Sequence, residues 1–275
     1  MDPTHHELDA HDAAQNHHGH AHGPASRHDA GHHLLQVEDL SVGFRMYEPG
    51  ASFLAARQRV FPTIKRLNIS VHAAEVVAVV GASGAGKTLL ADAIMGFYEP
   101  NAVVRGRIWV DGELQDAAGL RRLRGKGLSL VPQSVAYLDP TMTVGRQVQG
   151  AATDRADARR RVLRQRELFA RYGLDADVAR MYPHQLSGGM ARRVLLCCAL
   201  MDDPRVIIAD EPTPGLHLEL AVRALGDFRD FADAGGTVLL SSHLLHEIEV
   251  IADDIVVIGQ GRVMAQGPKE SLAGA

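Results

Sequence analysis

One glycine-rich turn decides the fold: Gly81-Ala82-Ser83-Gly84-Ala85-Gly86-Lys87-Thr88. It follows the apolar, β-branched run 76–80 and precedes a helix-like segment that begins at Leu89. Glycines let consecutive backbone N–H groups turn towards phosphate oxygens, and a helix that starts at such a turn adds the positive end of its dipole. The alternative, a chance turn after a buried strand, does not account for the helix that follows. The stretch therefore predicts a P-loop, in which residues 81–89 bind the phosphates of a nucleotide.

Two side chains of the P-loop have the chemistry that a triphosphate requires. Lys87 can reach the β- and γ-phosphates, and the Thr88 hydroxyl is an oxygen ligand for Mg²⁺. We therefore expect a nucleoside triphosphate and Mg²⁺ at this turn.

Composition limits the class of protein. At 275 residues the chain can bury a large α/β core, and its formal charge of −4 gives no basic field for nucleic acid. No apolar run approaches the ~20 residues of a membrane span, and the first residues lack the apolar core of a signal peptide. The cysteines, Cys197 and Cys198, are adjacent in an apolar helical run, so we interpret them as buried free thiols in a reducing compartment. We expect a soluble, cytoplasmic protein that reaches a membrane only through a partner.

Residues 1–33 form a low-complexity segment that holds ten of the fifteen histidines. Such a segment buries too little apolar surface to offset its chain entropy, so we expect a disordered tail. Neutral imidazoles at this density are ligands for Ni²⁺, Cu²⁺ or Zn²⁺. Metal buffering and an unselected tail are both compatible with this composition.

The segments around the P-loop predict a small antiparallel sheet beside the nucleotide core. Residues 35–44 alternate like an edge strand, residues 67–71 form a second strand, and residues 107–110 a third. Residues 45–61 are interpreted as a long connection.

An aromatic side chain near the end of the first strand is a candidate for contact with the base. Phe44 or Tyr47 could stack on a purine, and ordinary packing explains either residue at least as well. We take Phe44 as the candidate nucleotide contact and keep Tyr47 as the alternative.

Gln133 and His243 each follow an apolar strand, at residues 128–131 and 237–240. A glutamine beside a phosphate site can contact Mg²⁺ and the attacking water. A lone histidine is usually structural, but one at the end of a core strand is a candidate contact for the γ-phosphate. Both residues are therefore candidates for the same site as the P-loop.

Two adjacent carboxylates, Asp210 and Glu211, end the all-apolar strand 206–209. Such a run is typical of a buried strand in a parallel sheet. A carboxylate at the end of that strand can bind Mg²⁺, and the next side chain can address the attacking water. Two carboxylates at a merely solvated strand end would not explain the buried strand before them.

A helical period dominates between residues 142 and 200. The last helix of this segment begins with a second surface that can bind phosphate, called here the second phosphate-seeking surface. Ser187 is a good N-cap, and Gly188 and Gly189 expose backbone N–H groups at the helix start. The arginines of 155–165 are most simply a solvated face, and no aromatic residues alternate with them as in a nucleic-acid platform.

Taken together, these segments resemble the nucleotide-binding subunit of an ATP-binding cassette (ABC) transporter. The match runs from about Leu34 to Pro268, and Leu186-Ser187-Gly188-Gly189-Met190 is its most specific motif. The resemblance implies an α/β P-loop NTPase fold with a RecA-like core, an antiparallel β subdomain and a helical subdomain at about 136–200. It divides the chain into a tail of 1–33, a nucleotide-binding domain of 34–270 and a C-terminal tail of 271–275.

The resemblance also implies a mechanism that depends on ATP, Mg²⁺ and a second ATP-binding subunit. Two such subunits pair head to tail, with ATP between one P-loop and Ser187, Gly188 and Gly189 of the other subunit. Glu211 polarises the water, His243 holds the γ-phosphate, and Gln133 relays closure to two transmembrane permease subunits. The protein is then a peripheral ATPase at the cytoplasmic face of the inner or plasma membrane.

Further motifs resemble the dipeptide, oligopeptide and nickel importers, namely Val131-Pro132-Gln133, Leu138-Asp139-Pro140, Met142-Thr143-Val144-Gly145 and Tyr182-Pro183-His184-Gln185. Such importers use a substrate-binding protein and often two different ATPases. The histidine tail, and an end at Ala275 without the cysteine-bearing region of many peptide importers, favour nickel or a metal complex over peptides. An exporter ATPase, a non-transport ABC ATPase acting on ribosomes or DNA, and a metal-handling protein remain the alternatives.

One position departs from the family pattern. After Glu211-Pro212-Thr213 the family usually continues with a short loop that ends in Asp, but here Pro214-Gly215-Leu216 leads to His217. That loop normally crosses towards the partner's P-loop. We therefore hypothesise a heterodimer with a more standard partner, although a homodimer is also compatible with the sequence.

Overall fold

In a computed structural model the protein is described over residues 33–47, 58–243 and 245–272, with the side chains of 245–247 excepted. The expected tail lies outside these residues apart from His33, which already belongs to the first strand. The order of elements is β1 (His33–Tyr47), β2 (Gln58–His72), β3 (Val76–Val80), α1 (Lys87–Met95), β4 (Ala102–Val110), β5 (Glu113–Gln115), α2 (Ala117–Leu123), β6 (Leu128–Val131), α3 (Val144–Gln149), α4 (Arg155–Arg171), α5 (Gly188–Ala199), β7 (Val206–Asp210), α6 (Leu218–Asp233), β8 (Thr237–Ser241), α7 (Leu245–Ile251), β9 (Asp254–Gly259), β10 (Arg262–Pro268) and α8 (Lys269–Leu272). Short 3₁₀ turns cover Val135–Tyr137, Ala176–Arg180 and Pro183–Gln185.

A small antiparallel sheet has the strand order β2-β1-β4-β5. The prediction that residues 35–44 form an edge strand was wrong, because β1 pairs with β2 on one side and with β4 on the other. Alternation of apolar and polar residues indicates only that one face of a strand is buried. An inner strand of a sheet with one solvent-exposed face shows the same alternation as an edge strand. The connection between β1 and β2 is also shorter than the predicted 45–61, since the two strands pair as far as Tyr47 and Gln58.

The larger sheet has the order β10-β9-β3-β8-β7-β6, and all its pairings are parallel except that of β10 with β9. The strands β7 and β8 are buried at all five of their positions, as expected for strands covered on both faces. Strands β9 and β10 form an antiparallel hairpin at one edge of this sheet. This is the α/β architecture that the P-loop and its flanking segments predicted.

The parallel arrangement brings the carboxyl ends of four strands to one edge of the sheet. The P-loop follows β3, Gln133 follows β6, Glu211 follows β7 and His243 follows β8. Ligands of open α/β sheets bind at this edge, so the topology alone places the candidate residues together.

Two hydrophobic clusters account for most of the core. One joins the small sheet and α1 to one face of the parallel sheet, with Leu35, Ile64 and Ile94 among its members. The other joins α4, α5 and α6 to the opposite face, and its largest side chains are Phe169, Tyr172 and Phe228. Helices α3 to α5 lie within the range 136–200 that the sequence assigned to a helical subdomain.

Three smaller predictions concern the cysteines, the C-terminus and the membrane. Both cysteines are free thiols; Cys197 is buried and Cys198 is partly exposed, and burial raises the pKa of each. Residues 271 and 272, predicted as tail, belong to α8, which packs against β9 and β10. Across the described ranges, none of the helices has the length and apolarity needed to cross a bilayer.

Candidate active site

The P-loop backbone has the shape that the glycines predicted. Gly84 and Gly86 have φ angles of 78° and 107°, in the left-handed region that side chains disfavour. A Cβ on Gly81 would lie 2.4 Å from the carbonyl oxygen of Ile258, so β9 crowds the start of the turn. Gly86 is the N-cap of α1, which leaves backbone N–H groups of the first turn for an anionic ligand.

The Lys87 ammonium lies inside this turn and next to the carboxylate of Glu211. It donates a hydrogen bond to the Gly81 carbonyl at 2.8 Å, and its Nζ lies 3.7 Å from Glu211 Oε1. Both side chains are largely buried, at 6% and 15% exposed, so solvent screens their attraction less than on the surface. The two residues that sequence reasoning assigned to phosphate binding and water activation are therefore neighbours.

Gln133 connects the P-loop helix to Glu211. Its Oε1 accepts a hydrogen bond from the Thr88 hydroxyl at 3.4 Å, and its Nε2 donates to Glu211 Oε2 at 3.0 Å. The other carboxylate oxygen of Glu211, Oε1, lies 3.4 Å from His243 Nδ1. Three of the predicted residues, Lys87, Gln133 and His243, thus contact the Glu211 carboxylate, and Thr88 is linked to it through Gln133.

The three residues expected to bind Mg²⁺ can be judged by where they lie and by which oxygen atoms they offer. Thr88, Gln133 and Asp210 line one small cavity beside α1. Asp210 is only 2% exposed, and its Oδ1 accepts a hydrogen bond from Ser241. Over the described ranges no group of three or more His, Cys, Asp or Glu side chains could hold a metal ion. One carboxylate, one hydroxyl and one amide oxygen nevertheless suit Mg²⁺, which usually takes one or two carboxylates and completes its shell with water and phosphate.

Glu211 has an unusual backbone, with a φ of 46° in the left-handed region. For a residue with a Cβ this conformation costs about 1–2 kcal/mol. Its N–H donates to both the carbonyl and the hydroxyl oxygen of Ser241, and its carbonyl accepts a hydrogen bond from Arg192. Sequence reasoning gave Ser241 and Arg192 no role; the only available signal was a polar residue at the end of an otherwise apolar strand.

The second phosphate-seeking surface does not meet the P-loop of the same chain. Ser187 is the N-cap of α5, where its Oγ accepts from the N–H of Met190 at 3.3 Å, and Ser187 and Gly188 are exposed. A Cβ on Gly188 would contact nothing within 4 Å, whereas one on Gly189 would lie 3.4 Å from the carbonyl oxygen of Gly215. Among the described residues, no hydrogen bond or ion pair joins 187–189 to 81–88.

The two aromatic candidates for base stacking differ in exposure. Phe44 is half-buried and packs against the hydrophobic core, while Tyr47 is 62% exposed. Ordinary packing thus occupies at least part of the Phe44 ring. The assignment of Phe44 to base binding stays a prediction, and Tyr47 is the more accessible ring.

His217 occupies the N-cap position of α6 and makes no side-chain cap hydrogen bond. It is exposed and lies two residues after Gly215, whose φ of 82° is in the left-handed region that favours glycine. The family's usual Asp would place an acceptor at this helix start.

A contact that the sequence did not reveal joins the segment after Gln133 to α1. The Tyr137 hydroxyl donates to Asp92 Oδ1 at 3.0 Å, and the Tyr137 ring lies 6.2 Å from that of Phe97. Burial raises the pKa of Asp92, and burial together with the Asp92 charge raises the pKa of Tyr137 to about 12. The segment that carries Gln133 is therefore attached to the P-loop helix at a second point.

Comparison with known proteins identifies the fold family. The family model described as ABC transporter matches residues 64–214, more than half of the chain. The chain belongs to the ABC transporter family. As a member it is an ATP-binding, ATP-hydrolysing subunit.

The relatives of this ABC ATPase include peptide-transport proteins. It is 31% identical over 251 residues to the oligopeptide transport ATP-binding protein OppD of Lactococcus lactis subsp. cremoris, covering 87% of this chain and 71% of that one. It is 32% identical over 255 residues to a putative peptide import ATP-binding protein of Brucella abortus, covering 87% and 72%. A solved dimeric ATP-binding cassette, MJ0796 in a post-hydrolysis state bound to ADP and phosphate, has the same fold, with a TM-score of 0.71, 22% identity and coverage of 86% and 98%.

Proposed function

We propose that this ABC ATPase drives the uptake of peptides through separate membrane subunits. The observation that carries the proposal is the convergence of Lys87, Gln133 and His243 on the Glu211 carboxylate, at the edge of the sheet where the P-loop lies. The relatives named as oligopeptide and peptide transport proteins support the substrate class.

Each residue of the site has a role that follows from its chemistry. Lys87 and the backbone of 81–89 bind the phosphates of ATP, and His243 contacts the γ-phosphate. Glu211 orients the attacking water and accepts its proton. Thr88, Asp210 and Gln133 would hold Mg²⁺, which would neutralise charge on the phosphates.

We propose that residues 34–270 act as the nucleotide-binding domain, with 136–200 as its helical subdomain, and that it works as one of two ATP-binding subunits. The exposure of Ser187 and Gly188, away from their own P-loop, supports a role towards a neighbouring subunit. The dimeric cassette of the same fold gives a precedent for such pairing. Departure from the family pattern at His217 favours a heterodimer, and the isolated chain tests this: robust, cooperative ATPase activity of a homodimer would contradict it.

The remaining partners follow from the importer class. They are two transmembrane permease subunits and, indirectly, a substrate-binding protein, with this subunit peripheral at the cytoplasmic face of the membrane. Preference for nickel or a metal complex stays a prediction from the histidine-rich segment, which lies outside the described residues except for His33.

Uptake in cells separates the substrates. Cells that lack this subunit are complemented with the wild-type chain, with Glu211→Gln, or with a chain that lacks residues 1–32, and uptake of labelled oligopeptides and of radioactive Ni²⁺ is measured. We expect the wild-type chain, but not Glu211→Gln, to restore peptide uptake. Restoration of Ni²⁺ uptake alone would overturn the peptide assignment, and loss of Ni²⁺ uptake on deletion of 1–32 would assign the tail to metal.

A further inference from the structure

Ser241 is a polar residue at the end of a strand that is otherwise buried in the core. It is 5% exposed and lies opposite Asp210 in the parallel pairing of β7 and β8. Burying a hydroxyl that has no hydrogen-bond partner costs free energy of folding. The partners of the Ser241 hydroxyl therefore indicate its role.

The Ser241 hydroxyl contacts both carboxylate residues at the end of β7. Its O–H donates to Asp210 Oδ1 at 2.5 Å, and its oxygen accepts the N–H of Glu211 at 3.1 Å. One hydroxyl has one donor and two acceptor positions, so it can make both bonds at once. The Ser241 carbonyl accepts the same Glu211 N–H at 3.0 Å.

Arg192 holds Glu211 from the other side. Its Nη1 donates to the Glu211 carbonyl oxygen at 3.2 Å, and it reaches this atom from α5, the helix that begins at Ser187. Hydrogen bonds therefore fix the peptide groups before and after the Glu211 Cα, which stands in the left-handed region. Fixing both peptides fixes the direction in which the Glu211 side chain leaves the backbone, towards Lys87, Gln133 and His243.

We infer that Ser241 is a positioning residue for ATP hydrolysis: its hydroxyl aligns Asp210 and Glu211 together, and Arg192 completes the hold on Glu211. This inference rests on the ATPase site proposed above and adds two residues to it. In this role both residues act through Asp210 and Glu211 rather than by binding the nucleotide.

The test compares Ser241→Ala with a matched control in the purified transporter complex. Ser129 is also buried, at 8% exposed, and its hydroxyl donates to the Ala199 carbonyl at 3.0 Å, at the far end of α5 from Ser187. We expect Ser241→Ala to lower kcat about tenfold with the KM for ATP changed less than twofold, because misplaced catalytic groups slow the chemical step more than binding. Ser129→Ala should keep kcat, although it loses a buried hydrogen bond of the same kind.

Three further variants separate positioning from general stability. Ser241→Thr keeps the hydroxyl and should restore most of kcat. Arg192→Leu should also lower kcat, and its combination with Ser241→Ala should have less than the product of the two effects, because both act on the backbone of one residue, Glu211.

Two results would overturn the inference. One is normal kcat for both Ser241→Ala and Arg192→Leu in a complex whose wild type hydrolyses ATP. The other is a loss of kcat in the Ser241→Ala/Arg192→Leu double variant equal to the product of the two single losses. Absence of ATP hydrolysis in the wild-type complex would instead overturn the proposed function.

Discussion

The side-chain amide of Gln133 donates to Glu211 Oε2 at 3.0 Å, across 78 residues of sequence. The same glutamine accepts a hydrogen bond from Thr88. A residue just past the end of β6 therefore contacts both the P-loop helix and the residue that follows β7. A shift of Gln133 would therefore disturb both the Thr88 hydroxyl, proposed to bind Mg²⁺, and the Glu211 carboxylate, proposed to orient the attacking water.

Glu211→Gln should keep ATP binding and lower hydrolysis at least about 100-fold, because the amide retains an acceptor oxygen but cannot take a proton from water. Phosphate release and equilibrium binding of labelled ATP measure the two effects separately. Glu167→Gln on the surface of α4, where the side chain is 66% exposed, is the control and should hydrolyse normally. Near-normal turnover of Glu211→Gln would show that another group activates the water.

Ser187 should contact the phosphate loop of a neighbouring subunit when ATP is bound. A photoreactive label on Ser187→Cys, used in the purified complex with ATP and a hydrolysis-blocking substitution, should give an adduct in the partner's glycine-rich loop by mass spectrometry. The native cysteines are poor competitors, since burial raises the pKa of both thiols. Adducts only within this chain, or none that depend on ATP, would contradict the head-to-tail pairing.

His217→Asp should stabilise the protein by about 1 kcal/mol, since Asp accepts a backbone N–H at an N-cap and complements the helix dipole. His217 is exposed and makes no cap hydrogen bond, so nothing is lost in the exchange. Urea unfolding at constant pH measures the difference. The control is His217→Ala, which has no acceptor; an equal gain in that variant would attribute the effect to removal of His rather than to capping.

Asp92→Asn should raise the free energy of unfolding at pH 7 and not at pH 3. Burial raises the pKa of Asp92 above its ordinary value of 3.8, so the folded state binds the proton more tightly than the unfolded state. The stabilisation that this gives the wild type is complete below 3.8 and is lost as the pH rises through the raised pKa. Asn keeps an oxygen for the Tyr137 hydroxyl and carries no charge.

Unfolding curves at several pH values test this pH dependence. The gain of Asp92→Asn over the wild type should therefore grow between pH 3 and pH 7 and then level off. Asp203→Asn, at a position 89% exposed, is the control and should show no comparable growth. A gain for Asp92→Asn that is independent of pH would mean that packing, not charge, separates the two side chains.

Most of the site could be predicted because its residues follow strands with a clear signature. Buried parallel strands are continuous apolar runs, and their carboxyl ends meet at one edge, so Lys87, Glu211 and His243 could be assigned to one site before their distances were known. The hydrogen bonds of Ser241 and Arg192 and the pairing of Asp92 with Tyr137 have no such period. They depend on which side chains meet after folding.

The inner position of β1 was missed for a related reason. A strand's alternation describes its two faces, whereas its neighbours along the hydrogen-bonding direction are chosen by the connections of the whole sheet. The partners of β1, which are β2 and β4, lie on opposite sides of the P-loop in the sequence.

Because Ser187 and Gly188 are exposed and, within the described part of the chain, form no hydrogen bond or ion pair with their own P-loop, we propose that this chain completes the ATP site of a neighbouring subunit. In the proposed assembly, a substitution at Lys87 impairs ATP binding at the P-loop of this chain. A substitution at Ser187 impairs the ATP site that contains the P-loop of the neighbouring subunit. In a heterodimer, substitutions at the two positions of this one chain would therefore disable different ATP sites of the same complex.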